Sequence, residues 1–179
     1  MMIYISEDIE EIVRNIVGWN TEGLILIGML HDDYLKIRSK YKKPAVLIDS
    51  YTPKNIARYV NIGLDDEEGG YLMTKYLLDC GHRKIAFLAD NMEGVDYIRY
   101  TGHQRALQEY GLDIDLDNLI VIRPSKYERQ GNMEEIYAVA HKFTAFMCCS
   151  DYYAVTLMKY LKAKGIRFPE DLSITGFDD

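Results

Sequence analysis

The stretch Asp66–Leu88, DEEGGYLMTKYLLDCGHRKIAFL, decides the fold. It reads as a helix, a sharp stop and a buried strand. Glu67 and Glu68 fall in its first turn, where acids suit the positive end of the helix dipole. Leu72, Met73, Tyr76 and Leu77 recur at helical spacing and are predicted to form the buried face. Gly81 follows the last apolar turn, where a glycine enters the left-handed conformation without steric cost. His82, Arg83 and Lys84 add positive charge beyond the carbonyl end. Ile85–Leu88 is then a short apolar run that fits a strand covered on both faces.

The same alternation extends outward in both directions. Upstream, Glu7–Val17 is predicted as an amphipathic helix with Ser6 as its N-cap. Gly23–Ile27 reads as a buried strand, Asp32–Tyr41 as a weaker helix, Ala45–Ile48 and Tyr59–Ile62 as strands. Downstream, helices are predicted over Asp96–Tyr110, Gly131–His141 and Tyr152–Lys164. Strands are predicted at Leu119–Ile122, Thr144–Cys148 and Leu172–Gly176. Strands alternating with helices indicate an α/β fold with parallel sheets. A parallel unit normally opens with a strand. This chain opens with a helix and stops directly after a strand, so it reads as a piece of a longer protein.

Composition narrows the function. The chain has 179 residues, 48% of them hydrophobic, enough for a sizeable core. No run of 18 apolar residues occurs, so no transmembrane helix is expected. The first residues, MMIYISEDIEE, lack the pattern of a signal peptide. The net charge of -7 argues against nucleic-acid contact through this chain's own surface. Cys80, Cys148 and Cys149 give an odd count without metal or disulfide spacing, as in a cytoplasmic protein with reduced thiols. Cys148 and Cys149 are adjacent in a predicted strand and should point to opposite faces.

In open α/β sheets, ligands bind beyond the carboxyl ends of the strands. Those ends carry Gly28-Met29, Asp49-Ser50-Tyr51, Ala89-Asp90, the segment 123–127, Ser150-Asp151 and Phe177-Asp178. Their carboxylates can accept hydrogen bonds from sugar hydroxyls or a nucleobase edge. The plainer reading of Asp151 is a cap on the following helix. Asp178-Asp179 is at most a weak magnesium motif. The histidines His31, His82, His103 and His141 have no metal spacing, and no nucleophile elbow, phosphate loop or dinucleotide turn is present. Gly69-Gly70, inside a helix, fits close packing better than phosphate binding. The residues alone therefore describe a ligand-binding α/β domain with no catalytic constellation, no metal and no cofactor.

Several segments together resemble the LacI/GalR family of bacterial transcriptional repressors. Asp65–Tyr71 followed by Cys80–Ile85 is similar to D-N-x-x-G-G…L-x-x-x-G-H-R-x-I. Arg99–Leu107 resembles R-x-x-G-F-x-x-A-L, with His103 in place of the usual aromatic residue. Thr144–Ala154 resembles T-A-[IV]-F-x-x-[SN]-D-x-x-A, and Gly165–Asp179 resembles G-x-x-V-P-x-D-[VL]-S-[VI]-x-G-[FY]-D-[DN]. The resemblance implies two Rossmann-like lobes akin to periplasmic sugar-binding proteins, here 1–82, incomplete, and 83–179. It implies a small effector, a sugar or a nucleobase-like molecule, in the cleft between them. It further implies a homodimer, and operator DNA bound only through a helix-turn-helix that this sequence does not contain. Arg99 and Asp151 match the family's effector-contacting arginine and aspartate; Asp178 and Tyr127 are further candidates. A solute-binding protein for sugar transport is the alternative, and a metal-dependent α/β enzyme a third reading with no nucleophile–base pair behind it.

Overall fold

The computed structural model describes residues 3–6, 8–19, 21–50, 60–90, 92–122 and 129–178, with side chains in the last span from Asn132 onward. The chain divides into two packed units, Met1–Leu64 and Asp65–Asp179.

The first unit contains α1 (Ile9–Gly18), β1 (Leu24–Ile27), α2 (His31–Lys40), β2 (Ala45–Ile48) and β3 (Val60–Ile62). Its strands form a parallel sheet in the order β1-β2-β3. Asp8, not Ser6, caps α1: its carboxylate accepts the Glu10 and Glu11 amides. Ser6 instead donates its hydroxyl to Glu11. The core comprises Ile16, Leu26, Tyr34, Ile37, Tyr41 and Leu47. β1 is buried on one face only. Leu26 points into the core, whereas Ile25 and Ile27, on the alternate face, are exposed.

The second unit contains α3 (Asp66–Asp79), β4 (Ile85–Ala89), α4 (Gly94–Glu109), β5 (Leu119–Val121), α5 (Arg129–Ala140), β6 (Ala145–Cys148), α6 (Asp151–Ala163) and β7 (Ser173–Thr175). The sheet order is β5-β4-β6-β7, all parallel. β4 and β6 are central and buried along their whole length, as their unbroken apolar runs predict. Alternate residues feed two cores. Ala86, Leu88, Phe146 and Cys148 join Ile136 of α5 and Leu157 and Leu161 of α6. Ile85, Phe87, Met147 and Cys149 join Leu77 and Leu78 of α3 and Tyr100 and Leu107 of α4. Cys148 and Cys149 thus lie on opposite faces, and burial pushes both thiols up.

The deciding helix is present, and its stop is as expected: Gly81 has φ +95°, and the His82 amide returns to the Leu77 carbonyl. Its buried face differs from the expected one. Leu72 and Tyr76 are exposed, and the buried residues are Asp66, Gly70, Thr74, Leu77 and Leu78. The reason is that α3 and α4 meet backbone to backbone. A Cβ on Gly70 would overlap the Arg99 carbonyl, and one on Gly102 would overlap the Glu67 carbonyl. A face that close admits only small residues, which carry no hydrophobic signal. This packing also places α3 in the second unit, so the contact boundary at 64/65 differs from the division at 82/83 by that helix and its turn.

His103, set among aromatic residues, is fully packed. It is buried between Phe87 and Tyr100, and its Nδ1 lies 2.9 Å from Thr74 Oγ1. Burial holds its pKa down, at about 4. The unfolded chain takes up this proton near pH 6.5, whereas the folded chain does not until about pH 4. The stabilisation is therefore complete above pH 6.5 and declines between pH 6.5 and 4, by about 2–3 kcal/mol. Urea unfolding of wild type and His103→Phe at several pH values should show the wild type losing that much more stability over this interval; parallel curves would contradict it. Gly102→Ala should cost about 3 kcal/mol or more at neutral pH, since backbone atoms at the contact have no room to yield. A loss under 1 kcal/mol in the same assay would mean that the two helices separate freely.

Candidate functional site at the strand ends of the second unit

β4, β6 and β7 end side by side, and the segments leaving them carry Asp90, Cys149–Asp151 and Gly176–Asp178. α4 begins above them and projects Asp96 and, one turn on, Arg99. Asp151 is the first residue of α6, with Ser150 at the cap position. Its amide donates to the Phe177 carbonyl at 2.7 Å. Its carboxylate lies against Gly176, where a Cβ would overlap it. The amide–carbonyl bond thereby joins the β6 and β7 ends, and Gly176 packs directly against Asp151.

Arg99 is 7% exposed and is the hub of the site. Its Nε donates to Asp66 Oδ1 at 2.8 Å, and its Nη1 donates to the Cys149 carbonyl at 2.5 Å. Its Nη2 lies 3.4 Å from Asp178 Oδ1. The Phe177 ring stacks on the guanidinium, 3.7 Å from centroid to Cζ, with its edge seated on Gly69. Asp178 is held at φ +117°, a conformation rare outside glycine and found disproportionately at functional sites.

A second polar group flanks this hub. Asp96 is buried; its Oδ2 accepts the Asp90 amide at 3.3 Å, and the Cys149 side chain bonds to it. The Tyr153 hydroxyl donates to Asp90 Oδ2 at 2.9 Å. Burial, and then the neighbouring Asp90 carboxylate, raise the Asp96 pKa. Burial and the same carboxylate raise that of Tyr153.

Arg99, Asp151 and Asp178, proposed from the sequence, are thus brought together. Tyr127 lies outside the described residues, as do Tyr51 and Asp179. Asp90 and Phe177 lie at strand ends read from the sequence, whereas Asp66, Asp96 and Tyr153 carry no such signal. Asp66 and Asp96 stand at predicted helix starts, and only the third dimension joins them to Arg99 and Asp90. Among the described residues no group of three or more histidine, cysteine or carboxylate side chains is placed to hold a metal. No helix there is long and apolar enough to cross a membrane. The first unit has a polar strand end of its own. Buried Ser50 accepts the Met29 amide at 3.0 Å, Asn61 donates to its carbonyl, and Asp49 adopts φ +44°. A separate groove of about 330 Å³ runs along β5 and α5 and contains none of the proposed site residues.

Residues 74–179 match the family described as periplasmic binding protein-like domain. The chain is 34% identical over 139 residues to the arabinose metabolism transcriptional repressor of Geobacillus stearothermophilus, covering 69% of this chain and 36% of that protein. It is 30% identical over 176 residues to the HTH-type transcriptional repressor PurR of Pasteurella multocida, covering 97% and 52%. Among solved structures it resembles a transcriptional regulator CelR–cellobiose complex, with TM-score 0.81, 26% identity, and coverage of 96% of this chain and 53% of that one. It also resembles the transcription regulator CcpA of Lactococcus lactis, with TM-score 0.75, 26% identity, and coverage of 93% and 60%. The chain therefore spans at most about half the length of these two repressors.

The raised Asp96 pKa gives a pH dependence opposite in sign to that of His103. The folded chain keeps this proton to higher pH than the unfolded one, so the contribution is present at low pH and is lost as pH rises through the folded value. Asp96→Asn should gain stability relative to wild type at pH 7, and the gain should shrink as pH falls toward 4. A difference that grows on acidification, measured by urea unfolding, would contradict the assignment.

Proposed function

The chain belongs to the periplasmic binding protein-like domain family, in its LacI/GalR branch, and from that premise we propose that it is the effector-binding core of a transcriptional regulator. The observation that carries the proposal is the convergence of Arg99, Asp151 and Asp178 at adjacent strand ends of the second unit. The two carboxylates, beside the buried guanidinium, offer fixed acceptors to a ligand rich in hydroxyl groups. A sugar is the favoured class, supported by the regulator of like fold that holds cellobiose. The domain is read as a binding module. The named relatives are repressors and regulators, which favours this role over a transport-associated solute receptor.

The effector would act by binding one conformation of the core better than another, and only that difference can shift the equilibrium. In the proposal the working form is a cytoplasmic homodimer. Tyr152, Val155 and Met158 supply an exposed apolar stripe on α6 for association. Operator DNA would be held by a separate helix-turn-helix domain, since a chain of net charge -7 is poorly suited to grip DNA itself.

The test is thermal unfolding against a panel of sugars, sugar phosphates and nucleobases. A ligand at 100 times its Kd should stabilise by about 2.7 kcal/mol. The shift should disappear in Asp151→Ala and weaken in Asp178→Ala. Arg99→Ala is less informative, because removing a buried ion-pair partner costs about 3–5 kcal/mol by itself. A shift that survives both aspartate variants would move the site elsewhere.

A further inference from the structure

A guanidinium is permanently charged, and an unencumbered one at a ligand site grips phosphate or carboxylate through paired hydrogen bonds. Arg99 is not unencumbered. Each of its three nitrogens already faces an oxygen: Asp66 Oδ1, the Cys149 carbonyl and Asp178 Oδ1. Phe177 covers one face of its plane, and only 9% of the side chain is exposed. One positive and two negative charges leave this group net negative. Asp66 is as buried as Arg99, so water does little to weaken the pair. Asp178 is the exposed member. An anion reaching Arg99 would have to displace Asp178 and would still meet Asp66, with Asp151 on the adjoining strand end. A hydroxyl group meets no such repulsion and finds carboxylate acceptors.

We infer that Asp66 is a specificity-determining residue: by neutralising Arg99 it converts an anion receptor into a positioning group, so the site takes uncharged hydroxylated ligands and rejects phosphate and carboxylate groups. This rests on the reading that these strand ends hold the effector, but its test does not need the effector. The probe is inorganic phosphate. Thermal unfolding of the chain is compared in sodium phosphate and in sodium chloride at matched ionic strength and pH 7. Wild-type midpoints should coincide in the two salts. Asp66→Asn should be raised specifically by phosphate and, in calorimetry, bind it about tenfold more tightly. Asp178→Asn, which removes an exposed charge, should gain a smaller shift and replaces Asp66→Asn if the latter does not fold. Asp117→Asn, a carboxylate loss away from the site, should gain nothing.

Phosphate stabilisation of wild type equal to that of the variants would overturn the inference. So would the absence of a gain in both folded site variants, or an equal gain in Asp117→Asn. A sugar that binds through Asp151 while wild type also binds phosphate would remove the specificity claim and leave the site standing. An empty ligand panel would weaken the site reading and leave the phosphate contrast readable.

Discussion

The backbone contact between α3 and α4 is the constraint on which the strand-end site depends. Gly70 and Gly102 let the two helices approach until carbonyls lie where side chains would be. Asp66 stands one turn before Gly70, and Arg99 three residues before Gly102, so the same contact sets the 2.8 Å separation of the buried ion pair. A buried pair is stable only when its geometry is good and its remaining donors are satisfied. The Cys149 carbonyl and Asp178 do this for Arg99. They also tie α4 to the ends of β6 and β7. Close packing, charge burial and placement of the candidate ligand groups are thus one arrangement.

The sheet supplies the platform. β4 and β6 are apolar on both faces and fill two separate cores, which leaves only their carboxyl ends to carry chemistry. Around those ends the polar groups fall into two sets with different electrostatics. Arg99 is compensated by Asp66 and Asp178, which leave their group net negative. Asp90 and Asp96 are carboxylates held together by an amide, a tyrosine and a thiol, and burial favours the protonated form of Asp96. A site so furnished is rich in acceptors, which suits hydroxylated ligands.

Much of this was legible in the sequence, for identifiable reasons. The alternation of apolar runs with helical periodicity marked the α-helices and strands among the described residues to within a few positions, because period and burial are directly linked. Gly81 announced its stop because a left-handed residue is needed there. The strand-end rule and the family-like motifs placed Arg99, Asp151 and Asp178. The buried face of α3 was not legible: a helix packed through glycine and threonine leaves its large residues, Leu72 and Tyr76, on the outside. The true partners of Arg99 were hidden for a related reason. Asp66 at a helix start looks like a response to the dipole, and nothing local reveals a guanidinium 33 positions away. The cap of α1 fell to Asp8 rather than Ser6 because both residue types serve, and the choice depends on where Glu11 reaches.

The central claim is that a small ligand engages the strand ends of the second unit. Hydrogen–deuterium exchange of the chain, with and without the strongest ligand from the thermal panel, tests it most directly. The account predicts added protection at Asp90, over Asp96–Arg99, and at Cys149–Asp151 and Gly176–Asp178, with the β5–α5 groove unchanged. Protection confined to that groove, with the strand ends exchanging as before, would contradict it.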